Sequence, residues 1–211
     1  MSTLPHRATE KHVLHDGDLP SSLLDGFRHA SRIAWDIETS GLDWRADRIA
    51  LCQLYVEDQP VAMVRIRDET PRNLARLLAD PGPRKIFHHA MFDVRFMAHQ
   101  WSATPSNIAC TKVASKLLFP GEARRQKLQQ LVSEQLGIDL DKSEQTSNWL
   151  APTYTESQLA YAVRDVIYLG DLLDVLLEKL ERRGLRELAL RCFDHIPTRV
   201  ALELRDLGDV Y

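Results

Sequence analysis

Long apolar segments are absent from the sequence, and cysteines are few. The longest apolar stretches, such as residues 49–56, are much shorter than the roughly 20 residues that a membrane-spanning helix needs. Polar and charged residues interrupt positions 5–11, so we expect no secretory signal segment there. The three cysteines, at positions 52, 110 and 192, are too far apart to show zinc-ligand spacing. These absences predict reduced, buried thiols in a cytoplasmic protein without membrane contact.

An excess of basic residues is also missing. Lysine and arginine together number 27 against 30 aspartates and glutamates, which gives a formal net charge of -3. The molecule as a whole therefore has no net positive charge that would indicate a nucleic-acid partner. An enzyme built around acidic residues can nevertheless hold phosphates with a few local cations. Six residues are candidates for such contacts, although each is more often an ordinary surface charge: Lys112, Lys116, Arg124, Arg125, Lys127 and Lys142.

The order of the hydrophobic patterns predicts an α/β fold. Three β-rich runs follow one another through short connections, which indicates an antiparallel meander. Two short apolar strands then alternate with helical segments, and the chain from residue 111 onward is almost wholly helical. We therefore predict a mixed sheet in which parallel strands follow the meander, flanked by helices. The five expected strands lie near residues 31–39, 48–57, 61–66, 85–88 and 107–111.

Size and composition favour one domain. A chain of 211 residues with 44% hydrophobic residues can bury a core, and it contains no repeat, low-complexity tract or convincing linker. We expect a single domain over residues 1–211, in which residues 1–11 form a loose N-terminal segment. Leucines at residues 172–180 follow helical spacing, which predicts a core stripe first and a subunit surface second.

Two acidic residues, Asp36 and Glu38, stand near the end of the first β-rich run. Apolar neighbours indicate that Asp36 leaves a buried strand, and side chains two residues apart on a strand share a face. Carboxylates held this close repel each other unless a divalent cation lies between them. Alternating acids on a solvated strand face are the plain structural alternative, and this spacing alone does not decide between the two.

Two further acids occur in surroundings that look buried. Asp93 follows a predicted strand-to-helix junction, where the first turn of a helix favours a negative charge for structural reasons alone. Asp165 lies among apolar residues on a predicted helix, four positions after Tyr161, so these two side chains share one helix face. An unpaired carboxylate in such surroundings is costly or stays protonated. A bound cation, or an arginine partner other than Arg164, would explain Asp165.

The order Asp-x-Glu, Asp, Tyr-x-x-x-Asp resembles the DEDDy family of 3′-to-5′ exonucleases, within the ribonuclease D group. The residues that carry this pattern are Asp36, Glu38, Asp93, Tyr161 and Asp165. Further segments resemble landmarks of that group in the same order, and the resemblance extends from about residue 15 to the C-terminus. These segments lie at residues 110–117, 128–137, 142–149 and 158–162.

Within that group, the sequence is most similar to one compact subgroup, the nanoRNase C proteins. The resembling segments are residues 15–20, the Cys-Thr-Lys at residues 110–112, and the Cys-Phe at residues 192–193. Members of this subgroup lack the C-terminal helical nucleic-acid-binding domains of ribonuclease D proper. The resemblance therefore implies a single 3′-to-5′ exonuclease domain with a ribonuclease H-like sheet. It also implies a homo-oligomeric ring, with an octamer as the candidate size.

The resemblance further implies a chemistry, the hydrolysis of the 3′-terminal phosphodiester with two divalent ions, Mg²⁺ or Mn²⁺. Two such ions stabilise both the attacking and the leaving oxygen of an in-line displacement. Asp36 would bridge the ions, with Glu38 and Asp165 at the first and Asp93 at the second. Tyr161 would orient the attacking water, because a phenol with a pKa of about 10 is mostly protonated. Residues expected to contact substrate are Glu38, Thr39, Leu42, His89, Phe92 and Tyr161, with Glu38 accepting a hydrogen bond from the 3′-hydroxyl.

Several substrates and two non-enzymatic alternatives stay open at this point. The subgroup implies very short RNA, especially dinucleotides, but the same site could trim longer RNA or degrade DNA. An inactive nucleic-acid-binding scaffold is expected to have lost one of the four acids, and all four are present. A metal-free structural protein would need arginines that neutralise the buried acids. The sequence departs from many relatives at His89 and Asn148, where they have Asn and Asp, so substrate contacts at these positions can differ.

Overall fold

A mixed sheet of six strands lies at the centre of the computed structural model, which describes residues 11–140, 144 and 146–210. The strands in chain order are β1 (His12–Asp16), β2 (Arg32–Thr39), β3 (Ile49–Tyr55), β4 (Val61–Arg65), β5 (Arg84–Phe87) and β6 (Ile108–Cys110). Across the sheet their order is β1-β4-β3-β2-β5-β6. Strands β2, β3 and β4 pair antiparallel, whereas β1 joins β4, β5 joins β2 and β6 joins β5 in parallel. The predicted α/β arrangement of a meander followed by parallel strands is confirmed.

The predicted number of five strands is wrong, because the sequence pattern does not reveal β1. Four of its five residues are exposed, so they show no apolar alternation. The strand forms through backbone pairing with β4 at the edge of the sheet, and Val61 N donates to Lys11 O at 2.9 Å beside it. An edge strand needs only one neighbour and can remain short and exposed. The predicted loose segment, residues 1–11, lies outside the described residues except for Lys11.

Helices flank this sheet on both faces. Within the described residues they are α1 (Ser21–His29), α2 (Arg72–Ala79), α3 (Ala90–Trp101), α4 (Thr111–Leu118), a 3₁₀ helix (Ala123–Gln126), α5 (Leu128–Leu136), α6 (Glu156–Ile167), α7 (Leu169–Arg182) and α8 (Arg186–Glu203). The start of α6 is fixed by a capping box, in which the Thr155 side chain accepts from Gln158 N at 3.1 Å and the Gln158 side chain accepts from Thr155 N at 2.9 Å. No helix in this part of the chain combines the length and apolarity that crossing a membrane requires.

The core lies between the sheet and its helices. Four leucines of the predicted stripe on α7 are at most 3% exposed, which confirms the stripe as core, and Leu177 is half-buried. The four buried leucines are Leu172, Leu173, Leu176 and Leu180. All three cysteines are free thiols; Cys52 and Cys110 are buried as predicted, whereas Cys192 is only half-buried.

Strand β2 separates apolar from acidic side chains. Trp35 packs on one face, with its ring centroid 6.0 Å from that of Phe87 and 6.3 Å from that of Trp101 on α3. Since side chains alternate along a strand, Asp36 and Glu38 point to the opposite face, where α6 packs against β2 and β3. The pairing with β3 shifts register between Glu38 and Thr39. Irregularities of this kind often lie next to active sites, where they change the direction of a side chain.

Candidate active site

Three carboxylates meet where the end of β2 faces α6. Ligand atoms of Asp36, Glu38 and Asp165 all lie within 4.8 Å of one another, although the third residue is more than 120 positions away in the sequence. The alternation along β2 places the first two on one face, and the packing of α6 brings Asp165 to them. Oxygens that share one Mg²⁺ at about 2.1 Å lie roughly 3–4 Å apart, so a small closing movement would let the three bind one ion.

Asp93 approaches this cluster from the first turn of α3, the helix that follows β5. Its side chain is only 3% exposed, and the Oδ2 atom has no hydrogen-bond partner. A buried oxygen without a donor is costly unless another group binds it. Asp93 also raises the pKa of Asp36 by charge repulsion, more strongly than either other acid does. The structure therefore places all four predicted acids in one electrostatic cluster, with Asp93 at its edge.

Burial is the main cause that raises the pKa of each acid in this cluster. The pKa values of Asp36, Glu38 and Asp93 lie well above their usual range, and repulsion among the carboxylates adds to the effect of burial. Burial also raises the pKa of Asp165 to about 7, against a hydrogen bond from Tyr161 that lowers it. The ion pairs found within the described residues leave these four carboxylates without a lysine or arginine partner. Carboxylate oxygens that lack a basic partner are hard ligands that suit divalent cations such as Mg²⁺ or Mn²⁺.

The raised pKa values predict how Mg²⁺ changes thermal stability with pH. Asp165 has a pKa of about 7 when folded against about 3.9 when unfolded, so it favours folding below pH 4 and loses that contribution as the pH rises through 7. Protons and Mg²⁺ compete for the same oxygens, so the Mg²⁺-induced rise in Tm should grow from about zero at pH 5 to about 5–10 °C at pH 8.

The measurement is thermal unfolding across this pH range in EDTA and in excess Mg²⁺. Taking the difference between the two series removes the opposite contribution of His88 and His89, whose pKa values are lowered by desolvation to about 3 and about 4. A difference in Tm that is independent of pH would contradict cation binding at the four acids.

Tyr161 contacts Asp165 from one helical turn earlier on α6. Its hydroxyl donates a hydrogen bond to the Asp165 carboxylate. Burial, together with the negative charge of neighbouring acids, raises the pKa of Tyr161 far above that of a free phenol. The phenol therefore stays protonated and can donate or orient, but it cannot serve as a base. Trp149 holds the ring in place with its centroid 6.1 Å from that of Tyr161.

The acids lie on the wall of a cavity of about 590 Å³. Every residue that is expected to contact substrate lines this cavity: Glu38, Thr39, Leu42, His89, Phe92 and Tyr161. The His89 and Phe92 rings stack with centroids 5.9 Å apart and planes inclined by 20°. Leu42 is 81% exposed, which is unusual for a large apolar side chain at a cavity mouth. The arrangement provides flat and apolar surfaces beside an acidic centre.

Two of the six basic candidates, Lys112 and Lys127, line the same cavity. Arg124 instead donates to Gln130 Oε1 at 3.0 Å, and Arg125 forms an ion pair with Glu134 at 2.8 Å. Lys116 lies on α4, one helical turn after Lys112, and Lys142 lies outside the described residues. The positions of Lys112 and Lys127 suit phosphate contact, because a cation beside an acidic cluster can hold an anionic substrate near it.

His88 also lines the cavity, although no motif spacing in the sequence points to it. Its pKa is lowered to about 3 by burial, so the ring is neutral. Nε2 donates to Gln126 O at 3.0 Å, and Nδ1 accepts from Thr111 Oγ1 at 2.9 Å, which fixes the tautomer. His88 thus ties the 3₁₀ helix before Lys127 to the start of α4. The His-His pair directly after β5 is the signal that could identify it.

Comparison with known proteins places these features in one family. A family model described as 3′-5′ exonuclease matches residues 12–181. Ribonuclease D from Desulfotalea psychrophila is 40% identical over 136 residues, which is 63% of this chain and 35% of that protein. The chain therefore spans about a third of the length of this curated relative.

Solved structures match over nearly the whole chain. NrnC from Brucella melitensis bound to pGG is 34% identical with a TM-score of 0.87, covering 95% of this chain and 97% of that one. The same protein with bound Mg²⁺ is 34% identical with a TM-score of 0.85, covering 94% and 96%.

Proposed function

The chain belongs to the 3′-5′ exonuclease family, and on that premise we propose that it hydrolyses the 3′-terminal phosphodiester bond of short oligoribonucleotides, dinucleotides included. The observation that carries the proposal is the convergence of Asp36, Glu38 and Asp165 within 4.8 Å, with the buried and unpaired Oδ2 of Asp93 beside them. Four acids that repel one another destabilise a protein in the absence of a bound cation. Their joint presence on one cavity wall supports a catalytic role.

The four acids would together hold two divalent ions. Asp36 is the central residue, because each of the other three carboxylates raises its pKa by repulsion. Glu38 and Asp165 would complete one ion site with it, and Asp93 would serve the other. When bound, the ions supply charge stabilisation to the attacking and leaving oxygens of the phosphodiester. The same four oxygen donors suit Mg²⁺ and Mn²⁺ equally well.

Tyr161 would act on the attacking water. Its hydroxyl is neutral and lies within hydrogen-bond reach of the Asp165 carboxylate, so it can hold a water molecule beside that acid. Glu38 would accept a hydrogen bond from the terminal 3′-hydroxyl, since it lies on the same strand face as Asp36 and its side chain faces the cavity. A substrate that lacks a free 3′-hydroxyl at this position loses that contact, which would account for cleavage from the end of the strand.

The cavity walls would bind the bases and phosphates. Leu42 is exposed and apolar, and the stacked pair of His89 and Phe92 offers a flat surface, so each can contact a base. Thr39 lines the cavity next to Glu38, and Lys112 is the cation that most lowers the pKa of Asp93. A positive charge in the lining of the same cavity can hold a phosphate beside the acids.

Two observations favour short RNA over long substrates. The cavity volume of about 590 Å³ lies in the roughly 300–1,000 Å³ range of sites for small molecules. NrnC from Brucella melitensis, 34% identical over 95% of this chain, has been solved with pGG bound. We extend that ligand to this chain as a substrate.

Initial rates on pGG, on its deoxy counterpart and on a long single-stranded RNA with the same 3′ end should separate the candidate substrates. We expect kcat/KM for pGG to exceed that for the long RNA at least about tenfold, equivalent to roughly 1.4 kcal/mol of transition-state binding. The reaction should release mononucleotides with Mg²⁺ and stop with EDTA. A preference for the long RNA would support ribonuclease D-like trimming, and a preference for the deoxy substrate would support a DNA exonuclease. Binding of pGG without any hydrolysis would favour the inactive scaffold.

We also propose that the protein forms a homo-oligomeric ring, as the sequence resemblance implies, with the whole chain as one exonuclease domain. Light scattering coupled to size-exclusion chromatography measures the number of chains directly. A monomer at micromolar concentration would contradict the ring.

A further inference from the structure

We propose that Asp47 is a positioning residue that fixes the 40–47 loop (residues 40–47) and thereby holds Leu42 at the mouth of the active-site cavity. This loop follows β2 directly, and Ser40, Gly41 and Leu42 line the cavity. The inference rests on the proposed function, in which Leu42 contacts a base of the substrate. A leucine that is 81% exposed gains little from packing, so its position must be set by the backbone that carries it.

The Asp47 carboxylate binds the loop on both sides of Leu42. Oδ1 accepts a hydrogen bond from Ser40 Oγ at 3.0 Å, and Oδ2 accepts one from Asp43 N at 2.9 Å. Ser40 Oγ in turn accepts from Arg48 N at 3.0 Å, and Ser40 N donates to Arg48 O at 2.9 Å. The Asp47 side chain therefore links the end of the loop to its beginning at Ser40 and to its middle at Asp43.

Gly41 provides the space that this carboxylate occupies. A Cβ atom at position 41 would lie 2.4 Å from Asp47 Oδ2, and its three nearest atoms all belong to the Asp47 carboxyl group. The backbone of Gly41 does not have a positive φ, so the lack of a side chain matters here for the room it leaves and not for conformation. The Asp47 carboxylate thus occupies the place that a side chain at position 41 would take.

The loop is also anchored to α3. Gln100 Nε2 donates to Asp47 O at 2.9 Å, and Gln100 Oε1 accepts from Ile49 N at 3.2 Å. Trp44 is buried under the loop and meets the His99 ring edge-on at 4.8 Å. The base of the loop is therefore anchored to α3 by hydrogen bonds and packing, whereas Leu42 is exposed. Fixing a contact residue before the substrate arrives lowers the entropy cost of binding.

This arrangement predicts a selective effect on substrate binding. In Asp47→Ala, KM for pGG should rise about tenfold, the size of roughly one lost hydrogen bond or ordered contact, while kcat and the Mg²⁺-induced rise in Tm stay unchanged. Asp47→Asn should restore the wild-type KM, because its amide oxygen can accept from Asp43 N and its amide nitrogen can donate to the second lone pair of Ser40 Oγ. Asp25→Ala removes an exposed aspartate elsewhere and is the matched control.

A double-mutant cycle with Leu42→Ala separates positioning from general damage to the fold. If Asp47 acts through Leu42, KM of the double variant should equal that of Leu42→Ala alone. Gly41→Ala should reproduce the Asp47→Ala phenotype by displacing the carboxylate, and it serves as the second test if Asp47→Ala does not fold. Additive effects on KM, or an unchanged KM in a folded Asp47→Ala protein, would overturn the inference.

Affinity measured without turnover distinguishes this inference from the proposed function. The dissociation constant for labelled pGG, measured with Ca²⁺ in place of Mg²⁺, should rise about tenfold in Asp47→Ala. A wild-type protein that binds pGG but does not cleave it would refute the proposed hydrolysis, and the tenfold change in affinity would still support the role of Asp47. Equal affinities for wild type and Asp47→Ala would refute that role.

Discussion

Replacing Asp36 with asparagine should lower kcat on pGG by about 10³-fold or more while the protein remains folded. Asp36 is the carboxylate that interacts with all three other acids, and its loss removes a ligand shared by both proposed ions. Charge stabilisation by the ions is worth several kcal/mol, and every 1.36 kcal/mol changes a rate about tenfold. Asparagine has the same shape, so the packing of β2 is preserved. Stopped-time assays of mononucleotide release in excess Mg²⁺ measure the effect.

The same substitution should stabilise the protein in EDTA, because it removes repulsion that burial amplifies. We expect Tm in EDTA to rise by about 2–4 °C and the Mg²⁺-induced rise to disappear. Asp25→Asn, which changes an exposed aspartate on α1, is the matched control and should alter neither quantity. A near-normal rate for Asp36→Asn in excess Mg²⁺ would mean that the acidic cluster is not the catalytic centre.

Tyr161→Phe should lower kcat by about 10²–10⁴-fold, the usual contribution of a positioned proton-transfer or water-orienting group, and leave the Mg²⁺-induced rise in Tm in place at pH 8. The reason is that only the hydroxyl is lost, while the ring keeps its contact with Trp149. This hydroxyl also lowers the pKa of Asp165, so the pH at which Mg²⁺ begins to stabilise the protein should shift upward in the variant. Steady-state kinetics and the paired thermal series check both expectations.

Tyr154→Phe is the matched control for this experiment. Tyr154 packs against the same Trp149, and its hydroxyl donates to Ala50 O at 3.3 Å on β3. Loss of that bond should cost about 1 kcal/mol of stability without a change in kcat. If Tyr161→Phe lost its response to Mg²⁺ as completely as Asp36→Asn does, Tyr161 would have a role in cation binding instead of water orientation.

Local patterns in the sequence predict much of the fold, since the meander and the helices depend on short-range periodicity. The family resemblance and the α/β fold class are confirmed, and the sheet has one strand more than predicted. Periodicity does not detect β1 because that strand is defined by its backbone partner β4 and not by buried side chains. Edge strands of this kind can be recognised only from the three-dimensional structure, in which their backbone pairs with a neighbouring strand.

The site is predictable only in part from spacing. The two-residue period of β2 places Asp36 and Glu38 on one face, and the helical period places Tyr161 beside Asp165. No spacing rule brings α6 to β2, so the meeting of the two pairs depends on the fold and, before the structure, on family resemblance. The contacts of Asp47 are not visible in the sequence either, although they are local, because residue spacing does not show which side-chain atoms of a loop bond to each other.

The crowding of the four acids also predicts that this site costs stability. Each carboxylate is desolvated and repels its neighbours, so we expect the cation-free state to be less stable than a variant with a neutral side chain. Destabilised groups of this kind concentrate at functional sites, where they bind a ligand that relieves them. Repulsion among the four carboxylates, and its relief by a bound cation, is therefore the common physical cause of the thermal and the kinetic predictions.

Crystals of the protein soaked in Mn²⁺, with anomalous scattering recorded from the metal, would show whether the four acids bind two cations. We predict two peaks in the acidic cluster, one within about 2.2 Å of oxygens from Asp36, Glu38 and Asp165, and one beside Asp36 and Asp93. Both peaks should vanish in crystals of Asp36→Asn. Anomalous density confined to other parts of the surface, with the four carboxylates free of metal at saturating Mn²⁺, would contradict the proposed catalytic centre.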